Sequence, residues 1–109
     1  MKLFWKDNTN NKYFLGSLYK DNGYYYFKVN QEGFLSAVSH GCFGIGTIDP
    51  SVEIHKSKTL FSFFQNRIPS KENPDIKKIL ASLELDEYDE YEVLRRIHGR
   101  LLTDNYYLE

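Results

Sequence analysis

Apolar and polar positions alternate with a period of two over the first thirty residues and recur at helical spacing over the last fifty. Leu3 and Trp5 alternate with Lys2, Phe4 and Lys6, which predicts a short strand ahead of the turn-forming run Asp7-Asn8-Thr9-Asn10-Asn11. Lys12 to Tyr19 predicts a second strand with Phe14, Gly16 and Leu18 on one face. Lys20-Asp21-Asn22-Gly23 then reverses the chain, because an Asn-Gly pair between alternating segments is a strong hairpin signal. In the third strand, Tyr24 to Val29, side chains alternate between faces, so Tyr25, Phe27 and Val29 are core candidates opposite Tyr24, Tyr26 and Lys28.

The middle of the chain is less regular. Asn30 to Lys58 holds four glycines and one proline among scattered apolar residues. Gln31 to Val38 fits one or two helical turns, and Gly44 to Ile48 fits an extended strand ended by Asp49-Pro50. Beyond it, Leu60, Phe63, Phe64 and Arg67 recur at helical spacing, and Ile68-Pro69 ends that helix. Asn73 as N-cap, Pro74 at the first helical position and Asp75 near the positive helix end start a second helix, with Ile76, Ile79, Leu80 and Leu83 as its buried stripe. A third helix starts at Asp86 or Asp89, turns Tyr91, Val93, Leu94 and Ile97 inward, and is capped by Gly99. Tyr106 to Leu108 is placed to return to the sheet. The expected architecture is one α+β domain over residues 1–109, a small antiparallel sheet opening as a β-hairpin meander and packed against about three carboxy-terminal helices.

A chain of 109 residues suits one domain with one modest core. Nine tyrosines and eight phenylalanines raise the aromatic share to 17%, and tyrosine suits half-buried surfaces in sheets and at interfaces. A net charge of −1 supplies no overall attraction to phosphate, so no direct nucleic-acid binding is expected of the isolated chain. The single cysteine excludes an internal disulfide, and neither a signal peptide nor a membrane span is read from the sequence, so the expected compartment is the cytoplasm.

Each candidate chemistry has a simpler structural reading. His40-x-Cys42 is a weak metal signal, better explained by a loop histidine and a small buried thiol, and no metal, cofactor or catalytic residue is assigned. Gly41-x-x-Gly44-x-Gly46 lacks the strand-then-helix context of a phosphate loop and reads as a strand edge or bulge. The acidic run Asp86, Glu87, Asp89, Glu90 and Glu92 and the basic end Arg95, Arg96 and Arg100 complement the dipole of one helix. A functional alternative has those three arginines touching phosphate in a DNA-bound assembly. Tyr13, Tyr19, Tyr24 and Tyr26 are expected on one sheet face. Aromatic faces of this kind stack on single-stranded bases, but with no basic accompaniment evident the expectation is cover by helices or by a protein partner, with Tyr24 and Tyr26 as contact candidates.

The run Phe61-x-Phe63-Phe64-x-Asn66-x-x-Pro69 resembles the F-x-F-F-x-N-x-x-P helix of the HipA kinase family. Leu15-Gly16-Ser17-Leu18 and Tyr24 to Val29 resemble that family's opening hairpin, and Tyr91 to Gly99 is similar to the segment before its kinase core. The family's S-L-S-L-P-L strand is replaced here by Gly41 to Gly46, and no tryptophan precedes the aromatic helix. A kinase of this family needs several hundred residues, so the resemblance implies the detached amino-terminal subdomain in its stand-alone, HipS-like form. It implies a bacterial antitoxin or regulatory subunit, not an enzyme, that binds and inhibits a HipA- or HipT-like serine/threonine kinase toxin in trans, with a HipB-like DNA-binding protein as a further partner. The contact residues it implies are His55, Lys56, Ser57, Lys58 and Thr59, read as a flexible polar loop, with Phe61, Ser62, Gln65 and Arg67 on the outer side of the aromatic helix.

Overall fold

In the computed structural model, which describes residues 1–109, Asn22 and Gly23 have φ of 50° and 79°, the pair of left-handed residues that closes a tight hairpin. That turn joins β2 (Lys12–Asp21) to β3 (Tyr24–Val29), and β1 (Lys2–Lys6) lies on the other side of β2. Next come α1 (Gln31–Ser39), β4 (Ile54–Ser57), α2 (Ser62–Gln65), α3 (Ile76–Ser82), α4 (Glu90–Ile97) and β5 (Tyr106–Leu108). The five strands form one antiparallel sheet in the order β4-β3-β2-β1-β5. The fold is α+β as expected, with helices mostly following the sheet; β5 returns to it as the terminal pattern indicated.

One irregularity decides which side chains face which way. Leu3 pairs with Gly16 while Phe4 pairs with Phe14, so Leu15 is an extra residue on β2, a β-bulge. Leu15 is fully buried, whereas Phe14 turns to the opposite face and meets Phe4 at 5.5 Å between ring centroids. Phe14 therefore does not share a face with Gly16 and Leu18, because one inserted residue reverses a period of two. Beside the bulge α1 approaches so closely that a Cβ on Gly33 would lie 1.9 Å from the Phe14 carbonyl oxygen.

One side of the sheet holds the core: Leu3, Leu15, Leu18, Phe27 and Val29 from the sheet meet Phe34, Leu60, Phe64 and Leu94 from the covering segments. Tyr25, Phe27 and Val29 are buried as the alternation required. Asn30 caps α1 by accepting a hydrogen bond from the Gly33 N–H at 2.8 Å, and Asp89 caps α4 through the Glu92 N–H at 3.2 Å. α4 ends at His98, which has φ 60°, and Gly99 follows at φ 57°. The left-handed cap thus begins one residue before the expected glycine. A side chain on Gly99 would press on Leu108 and Leu94.

Three expectations are corrected. Gly44 to Ile48 forms no strand: Ile45 and Ile48 are buried but joined by a single isolated bridge, and Gly41, Gly44 and Gly46 have φ of 106°, 94° and 58° that break an extended run. The aromatic helix is one turn, Ser62–Gln65, because Phe61 at its N-cap supplies no side-chain cap. Ile76, Ile79, Leu80 and Leu83 line one side of α3 but are only half-buried, since no element covers that helix completely. No helix is long and apolar enough to cross a membrane.

Candidate functional site

His55 to Ser57 lie in β4, at one free edge of the sheet, so this segment is an edge strand and not a flexible loop. Four residues of modest apolarity suffice for a strand here because β3 supplies an already ordered partner, with Phe27 opposite His55 and Tyr26 opposite Lys56. His55 is half-buried, and its Nε2 lies 2.8 Å from the Asp49 carbonyl oxygen, so its ring braces the preceding turn. Ser57 is also half-buried, and its Oγ accepts a hydrogen bond from the Thr59 N–H at 3.2 Å. Lys56, Lys58 and Thr59 are exposed. The Lys56 ammonium stands 4.2 Å from the Tyr24 ring centroid and 5.9 Å from that of Tyr26, linking the edge to the neighbouring tyrosines.

The aromatic turn divides into supports and exposed groups. Ser62 and Gln65 are exposed, while Phe61 packs on the core, 6.5 Å from Phe64. Arg67 is not on the outer side: it is 4% exposed. Its Nε donates to the Gly99 carbonyl, and its Nη1 and Nη2 donate to the Asp104 carboxylate at 2.9 and 2.6 Å. The guanidinium also stacks between Phe63 and Tyr106, 4.9 and 5.3 Å from their centroids. Arg67 thus ties the aromatic turn to the segment that delivers β5. The sequence showed an arginine at helical spacing but gave no sign of Asp104, 37 residues away. Beside Gln65 lies an open groove of about 610 Å³, lined among others by Lys20, Tyr25, Ile68, Tyr88 and Glu90.

Arg95, Arg96 and Arg100 do not form one cluster. Arg95 pairs with Glu92 at 2.6 Å, Arg96 donates to the Leu83 carbonyl at 2.6 Å, and Arg100 lies 4.8 Å from the Tyr107 ring on the far side of the sheet. Cys42 is buried with its Sγ 3.4 Å from the Tyr106 hydroxyl, whereas His40 is exposed at the end of α1. Burial pushes the Tyr106 phenol well above its ordinary value, reinforced by Cys42 and the Asp104 charge and opposed by Arg67. The hydroxyl donates to the Gly44 carbonyl, so this group holds the glycine loop against β5.

The face of the sheet opposite the core is covered by no helix. Strand register places on it Lys2, Phe4 and Lys6 from β1, Lys12, Phe14, Ser17, Tyr19 and Asp21 from β2, Tyr24, Tyr26 and Lys28 from β3, Ile54 and Lys56 from β4 and Tyr107 from β5. Tyr13 is not among them, because it pairs with Trp5 on the core side, where its hydroxyl donates to Asp7 at 3.0 Å. The basic accompaniment that the linear sequence did not reveal is therefore present. Lys12 Nζ sits 4.0 Å above the Phe4 ring, Lys6 Nζ 5.2 Å above Tyr107 and Lys2 Nζ 5.7 Å above Phe14. Phe4 in turn meets Tyr107 at 5.6 Å, and Tyr19 stacks on Tyr26 at 5.0 Å with 9° between their planes. Two carboxylates share this side: Asp21 opposite Tyr24 at the hairpin end, and Glu109, the partner of Lys12 at 3.2 Å, whose hydrogen bond raises the Lys12 ammonium's pKa. Simple alternation in β1 and β3 already marks six of these positions; the bulge in β2 and the pairing of β4 and β5 supply the others.

No family model matches the chain, and no curated protein or solved structure similar to it was found.

Proposed function

We propose that the domain is a non-enzymatic antitoxin or regulatory subunit that docks in trans on a HipA-like kinase toxin and inhibits it. The observation that supports this reading best is β4, a free sheet edge formed by the same segment that the family resemblance marks as kinase-facing. An edge strand offers unpaired backbone N–H and C=O groups to a partner segment, while neighbouring side chains supply selectivity. Lys56, Lys58, Thr59, Ser62 and Gln65 are exposed around this edge, with Tyr24 and Tyr26 beside it. His55, Ser57, Phe61 and Arg67 act from beneath as supports, through their contacts with Asp49, Thr59, Phe64 and Asp104. Docking here inhibits if it prevents the kinase lobes from closing around ATP.

The test is co-expression with a HipA-like kinase that lacks its own amino-terminal subdomain, scoring co-purification and relief of growth arrest. The paired substitutions Lys58→Glu and Gln65→Arg should abolish both while the variant remains folded. Retention of binding and relief by that variant would remove this surface from the proposal. Binding without relief would leave a structural or activating subunit.

A further inference from the structure

We infer that the helix-free face of the sheet binds single-stranded RNA, a function that shares Lys56, Tyr24 and Tyr26 with the proposed docking edge and extends beyond them. Although the whole chain carries a net charge of −1, the open face carries a local excess of basic groups over its carboxylates Asp21 and Glu109. Lys2, Lys6, Lys12, Lys28 and Lys56 emerge from the open face and Arg100 reaches it over Tyr107, whereas the acidic run Asp86 to Glu92 lies at the start of α4 on the core side. The expectation of no nucleic-acid binding rested on the total charge, and it is the local charge that meets a phosphate backbone.

The aromatic groups have the presentation that base stacking requires. Phe4 and Phe14 are half-exposed, each with a lysine ammonium near one ring face, whereas Tyr107 is 4% exposed beneath Lys6 and Arg100 and supports the other two from the side. These three rings form a row across β2, β1 and β5, with Phe4 5.5 Å from Phe14 and 5.6 Å from Tyr107. The stacked pair Tyr19 and Tyr26 lies toward the other end of the face, beside Tyr24. Between the two aromatic groups, Lys2, Phe14, Ser17 and Lys28 line a hollow of about 320 Å³. Rings at both ends and cations between them match a strand whose bases stack while its phosphates cross the lysines.

The hydroxyls favour RNA over DNA. On the core side, the hydroxyls of Tyr13, Tyr88, Tyr91 and Tyr106 donate to Asp7, Pro69, Leu18 and Gly44. On the open face, the hydroxyls of Ser17, Tyr19, Tyr24 and Tyr26 make no hydrogen bond within the protein. With no partner in the protein, they can exchange hydrogen bonds with ribose 2′-hydroxyls, the group that distinguishes the two nucleic acids.

Fluorescence anisotropy of the intact chain with a labelled single-stranded RNA of about 12 nucleotides tests the proposal. Binding that engages about four phosphates should weaken about 50-fold between 0.05 and 0.2 M monovalent salt. The variant Lys2→Glu with Lys28→Glu should lose at least about tenfold in affinity at low salt, and Tyr19→Ser at least about fivefold. Lys77→Glu with Lys78→Glu on α3 makes the same charge change away from the face and should leave most of the affinity. Circular dichroism of every variant establishes that the fold is retained. No binding, equal losses from the two charge reversals, or unchanged affinity in all open-face variants would overturn the proposal. Equal affinity for single-stranded DNA of the same sequence would overturn the RNA assignment. None of these substitutions touches Lys58 or Gln65, so kinase docking and RNA binding can fail separately.

Discussion

The two faces of the sheet are both rich in aromatic side chains, yet the protein uses them differently. On the core side Phe27 meets Phe64 at 5.7 Å, Phe64 meets Phe63 at 5.2 Å, and water is excluded from both Phe27 and Phe64. On the other side Phe4, Phe14 and Tyr26 approach their neighbours at similar distances, but each remains half-exposed and the space above the rings holds lysines, not helices. Ring packing within a sheet therefore does not by itself make a core. A core also needs a second layer to bury the rings, and α1, the aromatic turn and α4 supply one only on one side.

The comparison breaks first at Phe64. Replacing it with alanine removes a fully buried ring where Phe27, Phe61 and Phe63 converge, at a cost of about 3–5 kcal/mol. A small domain has about 5–15 kcal/mol in total, so thermal unfolding followed by circular dichroism should show a large fall in Tm or no folded state. Arg67→Ala is expected next, at about 3 kcal/mol, since it removes the buried partner of Asp104 and leaves the Gly99 carbonyl without its donor. Asp104 retains some exposure to water, which keeps the loss toward the lower end. A Tm within about 2 °C of the parent would show that the Arg67 contacts contribute little.

Gly33→Ala sharpens the comparison at the bulge where the two faces exchange residues. The added methyl would sit 1.9 Å from the Phe14 carbonyl oxygen, so α1 must move away from β2. Overpacking of this kind costs about 1–3 kcal/mol, measurable as a lower urea midpoint. If α1 covers the core side as described, Phe34 and Ala37 should also gain hydrogen exchange, whereas Tyr26 and Lys28 should not.

Much of this organisation was legible in the sequence, and the omissions have identifiable causes. The hairpin at Asn22-Gly23 and the inward set Tyr25, Phe27 and Val29 follow from local chemistry and a period of two. The bulge at Leu15 is invisible to such a pattern because it depends on where β1 pairs. β4 looks like a loop in the sequence because Ile54-His55-Lys56-Ser57 carries little apolar alternation and is ordered by β3. Nothing in the sequence marks Arg67 as buried, because helical spacing says nothing of a carboxylate that arrives from Asp104. The cationic face was concealed by summing charge along the chain instead of by strand face.

The smallest expected effect on stability bears most directly on the difference between the faces. Lys28 is exposed and accepts no packing layer above it, so Lys28→Gln should change unfolding free energy by no more than about 0.5 kcal/mol. Tyr19→Ser should cost about 0.5–1.5 kcal/mol, because it removes the stack on Tyr26 without opening a cavity. Chemical unfolding of the two variants separates the alternatives. Losses near those of Phe64→Ala would mean that the open face is a second structural layer whose aromatic and cationic groups support the sheet. Near-neutral stability together with lost RNA affinity would mean that its rings and lysines are arranged for a ligand, since groups that hold nothing together inside the protein are then the groups that recognise something outside it.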